Sequence, residues 1–212
     1  MTIIGVDLKT SPRRPSTAIV LDDDLRLVRW RPFTTDRELL QAADSHRPRV
    51  IAIGAPLNLP AGLCCLEPSC ECEYAFPDAK GRQCELELSR LGISCFFTSK
   101  SSIVRGLILR SVEINRQLNA LGFKVIEVYP YATKMLLFGD NMPTGKTSAN
   151  LDFLRGEVSA LIPDLLHHAD NLDRDACDAA LNAYTGYLHT RNQTDMLGDA
   201  TEGLLVIPKL PR

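Results

Sequence analysis

The chain has almost no net charge, no long apolar run and no internal repeat. Its 24 Lys and Arg against 26 Asp and Glu leave a formal charge of -2. Non-specific coating of nucleic acid rests on an excess of cations facing phosphates, so that class is disfavoured and only a local basic patch remains open. No stretch approaches the roughly 18–20 uninterrupted apolar residues of a membrane span. The start, MTIIGVDLK, lacks a basic segment followed by a long apolar one, as a secretory leader would have. A cytoplasmic protein with no membrane partner is expected. A phosphate loop is also missing: Gly145-Lys146-Thr147 invites that reading, but five residues separate Gly139 from Gly145 where the motif needs four.

What the 212 residues do hold is enough apolar content, 45%, to build a real core. One domain over 1–212 is expected. Ile3–Val6 and Thr17–Leu21 read as paired strands, and the alternation over Leu25–Trp30 reads as a third, half-exposed one. Asp36–Ser45 suits a short helix. Val50–Ile53 is an unbroken apolar run ending in Gly54-Ala55-Pro56, which predicts a buried central strand opening into a loop. Residues 57–95 are rich in Pro, Cys and Glu and lack a long period, so a loop-dominated insertion with a helix near Arg82–Leu91 is expected. Ser101–Leu121 has near-helical apolar spacing, with Ser101 or Ser102 placed as a cap and Gly122 as a stop. Lys124–Tyr129 reads as another buried strand, and helices are predicted at Ala132–Phe138, Ser148–Leu161 and Asp173–His189. The fold class expected is α/β, a mixed sheet with helices packed on it.

Two features carry chemistry. Asp7 ends the first strand, and Asp175 and Asp178 share one face of a predicted helix that is otherwise rich in alanine, which permits close approach to a sheet edge. Carboxylates that converge raise one another's pKa unless a cation neutralises them, so Mg²⁺ or Mn²⁺ is the expected occupant. Taken singly, a strand-end Asp is more often a turn former, and a helix-face pair more often solvated. The second feature is a crowd of five cysteines in one short segment, Cys64, Cys65, Cys70, Cys72 and Cys84. Four of them, Cys65, Cys70, Cys72 and Cys84, offer a soft site for Zn²⁺ or an iron-sulfur cluster. The spacing is not a pair of CxxC knuckles, so redox pairing and inert thiols stay open beside metal.

The segments IIGVDL, VIAIGAPLNLP, GRQCELELSRLGI, KVIEVYP and DRDACDAALNAYTGYLH together resemble the predicted nucleases called domain of unknown function 429, over nearly the whole chain. The terminal helix is similar to the one carrying two spaced aspartates in RuvC-like Holliday-junction resolvases. The resemblance implies a ribonuclease-H-like fold in which Asp7, Asp175 and Asp178 hold catalytic metal, with Glu127 in EVYP as a further acid. It also implies a nucleic-acid partner and two-metal phosphodiester hydrolysis. Where relatives show an Asp after the VIAI-type strand, this chain has Gly54. Lys9, Arg14, Lys100 and Lys146 are the candidate phosphate contacts, with Arg13, Arg105 and Arg110 near them. A catalytically lapsed nucleic-acid-binding or scaffold protein is the alternative. An ATP-dependent phosphotransferase ranks last, because the chain lacks the second Asp-Gly-Thr-like hairpin such folds need.

Overall fold

A computed structural model describes residues 1–10, 13–76, 80–145 and 147–210. Three strands, β1 (Thr2–Asp7), β2 (Ser16–Asp22) and β3 (Leu27–Phe33), form an antiparallel meander. Helix α1 (Asp36–His46) then carries the chain back so that β4 (Val50–Ile53) runs parallel to β1. The insertion contains α2 (Gln83–Arg90), and after it come α3 (Arg105–Ala120) and β5 (Val125–Val128), which is parallel to β4. The chain ends with α4 (Pro130–Phe138), α5 (Ser148–Leu161), a 3₁₀ segment (Pro163–Asn171), α6 (Arg174–Thr190), β6 (Thr194–Leu197) and β7 (Leu205–Pro208). The strand order is β3-β2-β1-β4-β5-β7-β6. An antiparallel meander continued by parallel strands, with helices on both faces, is the ribonuclease-H-like arrangement.

Period-2 alternation divides each central strand between two cores. Ile4, Val6, Ile51 and Ile53 face α1 and α3, where they meet Leu39, Ala43, Ile114 and Leu118. Ile3, Val50, Ala52, Ile126 and Val128 face the other way, with Tyr187 of α6. Helix α6 lies unusually close to β1, and Gly5 is the reason: a Cβ there would sit 2.2 Å from the Ala179 carbonyl oxygen and 2.1 Å from the Ala183 nitrogen.

Several expectations need adjusting. The long helix begins at Arg105, not at Ser101, because 99–105 is a run of tight turns in which Ser102 N donates to the Ser99 carbonyl and Arg105 N to that of Ser102. Pro130 does more than stop a strand: it is the first residue of α4, where its missing N–H costs nothing. Strands β6 and β7 were not expected. Each is four residues long, and β7 exists through its register with β5, Glu127 opposite Leu205 and Val128 opposite Val206. Among the described residues no helix is long and apolar enough to cross a membrane.

Candidate metal centre and its surroundings

The antiparallel packing of α6 on β1 assembles the acidic group. Gly186 approaches Ile3, and Ala183 and Ala179 approach Gly5. Four residues of helix advance about 6 Å and two residues of strand about 6.6 Å. The next step along both elements therefore sets the first turns of α6, with Asp175 and Asp178, beside Asp7. Asp173 caps the helix, its carboxylate accepting from Ala176 N at 2.8 Å, which fixes where those turns begin.

Two lysines neutralise the group. Lys9 Nζ lies 2.6 Å from Asp7 Oδ2 and 2.8 Å from Asp175 Oδ1, so one ammonium is shared by carboxylates from two elements. Lys134 of α4 pairs with Asp178. Burial pushes the Asp7 carboxyl up to about 7; Lys9 opposes this, while Asp178 and Asp175 add to it. Burial also raises Asp178, against the pull of Lys134. A cleft of about 590 Å³ opens here, lined by Lys9, Tyr131, Lys134, Arg174, Asp175 and Asp178 among others.

Glu127 does not join this group. In register it pairs with Ile53, which pairs with Val6, so its side chain shares their face of the sheet, opposite to that of Gly5 and Asp7. There it meets the buried Arg82 in a bidentate pair, Nη1 to Oε2 at 2.7 Å and Nη2 to Oε1 at 2.6 Å, and accepts from Leu57 N at 2.7 Å. Arg82 Nε also donates to Glu85 at 3.0 Å, and Glu85 accepts from the Thr98 backbone N at 2.8 Å and hydroxyl at 2.5 Å. Every charge of this network is buried and bonded, which is how a structural ion cluster looks.

The space beside Gly54 is taken by Asn182, a fully buried residue of α6 that the sequence reading did not single out. It lies four residues beyond Asp178, on the same helix face. Its Nδ2 donates to the Val6 carbonyl at 2.8 Å, and its Oδ1 has no hydrogen-bond partner among the described residues. A Cβ on Gly54 would stand 2.4 Å from that Nδ2. Gly54→Asp alone is therefore expected to destabilise the fold by about 1–3 kcal/mol, rather than simply to supply a missing carboxylate. Combined with Asn182→Ala it should lose less than the two single losses added together. The Val6 carbonyl also accepts from Gly54 N at 2.9 Å, so Asn182→Ala should not leave it unpaired. Urea denaturation of the three variants checks this, and additive losses would contradict it.

The remaining candidates separate. Lys100 donates to the carbonyls of Cys70 and Cys72, at 2.5 Å each, so it braces the cysteine loop instead of facing a phosphate site. Arg110 bonds Asp36 and Ser16, and Arg105 bonds Glu67. Arg14 is exposed between β1 and β2, and Lys146 lies outside the described residues. Cys84 is fully buried on α2 against Leu88 and Ile93, so it leaves the proposed thiol set; Cys64 takes its place, with Cys65, Cys70 and Cys72 around it. Lys134 was not singled out in the sequence, and Arg82 appeared only as the start of an expected helix and within the segment GRQCELELSRLGI, because only tertiary packing shows what each of them meets.

A ribonuclease-H-like sheet with a carboxylate trio where α6 meets the end of β1 defines the class of this molecule. The chain belongs to the family described as "Protein of unknown function (DUF429)", whose model matches residues 5–202. The solved structure of Thermus thermophilus RuvC is similar to it over 91% of this chain and 97% of that one, at 12% identity and a TM-score of 0.43. No curated protein matches the sequence.

Proposed function

We propose that this protein is a divalent-metal-dependent nuclease, with Asp7, Asp175 and Asp178 holding Mg²⁺ or Mn²⁺ and a nucleic-acid strand as substrate. The observation that carries the reading is the Lys9 ammonium shared between Asp7 and Asp175, since it marks a point where the chain itself requires positive charge. An all-carboxylate donor set fits a hard ion and suits a thiophilic one poorly. Asp7 fits it too: a carboxyl held near pH 7 by burial is only partly ionised at neutral pH, and a stronger cation would keep it charged.

Bound there, such an ion lowers the pKa of a water and stabilises charge on the leaving oxygen. The chain's own residues do the rest. Asp7 and Asp175 set the cation's position from two rigid elements. Lys9 and Lys134, relieved of their carboxylates, become cations facing the cleft, where with Arg174 they attract and orient phosphate oxygens.

The test is cleavage of a panel of single-stranded, duplex and branched DNA and RNA with and without Mn²⁺ or Mg²⁺. Cleavage is expected only with the ion and is expected to fall at least about 100-fold in Asp7→Asn. Metal-independent cleavage would overturn the reading. A second reading, a nucleic-acid-binding protein that has lost catalysis, is favoured by Asn182 standing beside Gly54 where an acid is expected. Binding of the panel without cleavage under any ion would select it.

A further inference from the structure

The segment from Ala61 to Ala75 contains no helix or strand, yet it closes on itself: Ala75 N donates to the Ala61 carbonyl at 2.8 Å. Its apolar content is small. Leu63 and Leu66 rest on Ile108 of α3, with Cys72 and Tyr74 partly buried beside them. A loop of this length with so few buried side chains needs another source of order. Four thiols converge within it, that of Cys64 exposed and those of Cys65, Cys70 and Cys72 partly buried. The Sγ atoms of Cys64, Cys65, Cys70 and Cys72 all lie within 4.8 Å of one another, and those of Cys64 and Cys70 are 3.7 Å apart.

We propose that Cys64, Cys65, Cys70 and Cys72 bind one Zn²⁺ ion that staples this loop. A tetrahedral ion with Zn–S bonds of about 2.3 Å separates its sulfurs by about 3.8 Å, close to the Cys64–Cys70 distance. An iron-sulfur cluster spreads its thiolates over several irons and holds them further apart. All seven cysteines are free thiols, so no disulfide orders the loop in their stead. Four thiolates complete the coordination and leave no open position, which makes the site structural and not catalytic.

The surroundings suit the charge. Four thiolates and one Zn²⁺ carry a net charge of -2, and two cations reach the loop, one from the chain leading into α3 and one from its first residue. Lys100 donates to the Cys70 and Cys72 carbonyls, and Arg105 to the Leu66 carbonyl at 3.4 Å and to Glu67 at 3.3 Å. The staple therefore fixes the loop to α3, the helix that covers the sheet face opposite to the acidic cleft. It does not depend on the nuclease reading, because its ligands are sulfur and the cleft's are oxygen.

The whole chain, purified under reducing conditions and freed of loose metal, is to be assayed for zinc by elemental analysis and for thiolate ligation by the spectrum of its Co²⁺-substituted form. One zinc per chain and the charge-transfer and visible bands of a tetrahedral tetrathiolate cobalt site are expected. Cys64→Ser, an exposed position, and Cys70→Ser should each lose zinc at least about tenfold, whereas Cys84→Ala should retain it. Stripping the zinc should speed tryptic cleavage at Lys80 and Lys100 roughly tenfold. The cobalt spectrum is read on the native sequence, so a variant that fails to fold does not decide the matter. Less than a tenth of a zinc per chain, iron in its place, a mass two hydrogens lower from a disulfide, or zinc retained in Cys64→Ser and Cys70→Ser but lost in Cys84→Ala would each overturn the proposal.

Discussion

Arg82→Ala should cost the fold about 3–5 kcal/mol, because it leaves two buried carboxylates without their cation. Arg82 is 2% exposed, and its guanidinium is divided between Glu127 and Glu85. Glu127 closes the network from the sheet side and also accepts from the backbone N of Leu57, at the start of the insertion. Glu127→Gln keeps the shape but forfeits the charge, so it should also destabilise, by less. The double variant Arg82→Ala, Glu127→Ala should lose clearly less than the sum of the single losses, since removing both charges leaves neither one bare. Urea denaturation followed by circular dichroism measures all of these. The same experiment decides what Glu127 is for. If Glu127→Gln left stability unchanged while abolishing cleavage, Glu127 would belong to the chemistry and the separation of the two sheet faces would be wrong.

That separation explains what the sequence could and could not disclose. Local structure gave the positions of Asp7, Asp175 and Asp178, a strand end and two places three apart on an alanine-rich helix, but singly each favoured a turn or a solvated face, and the family resemblance is what joined them into one set. Glu127 was misplaced because the face on which a strand residue lies depends on register, and register is set by pairing with β4, which no window of KVIEVYP contains. Cys84 was misplaced for a related reason. It is close in sequence to the other thiols, but it sits in the first turn of α2, on the face that packs against Leu88, Ile93 and Ala132. Lys9 was read as a phosphate contact from its charge alone. The carboxylates that claim it come from β1 and α6, about 170 residues apart in the chain. Strand β7 was missed although LVIP is as long as VIAI of β4, and its place in the sheet comes from pairing with β5. Local periodicity thus located the elements up to α6, and long-range pairing decided which side chains meet.

Asp7→Asn is expected to move stability and activity in opposite directions, and to do so with a defined pH dependence. Burial raises the Asp7 carboxyl from 3.8 to about 7 in the folded chain, with Asp178 and Asp175 adding to the rise and Lys9 opposing it. Between those two values the folded protein holds a proton that the unfolded chain has released. Stability must therefore fall as pH rises through that window, and the full cost of the buried charge is present above about pH 7. The upper limit of that cost is about 4 kcal/mol. The Lys9 pair and local relaxation bring the expected gain of Asp7→Asn at pH 8 to about 1–3 kcal/mol, and at pH 4 the gain should be close to zero. Urea midpoints of the two proteins at pH 4 and pH 8, without divalent ions, measure the difference. Millimolar Mg²⁺ should then stabilise the native sequence at pH 8 and leave Asp7→Asn unmoved, because a ligand that binds only the folded state stabilises it in proportion to its occupancy. Equal responses to Mg²⁺ would show that Asp7 holds no ion. A variant more stable than its parent at pH 8, blind to Mg²⁺ and without cleavage would show that the buried carboxylate is kept at a cost in stability because the chemistry requires it.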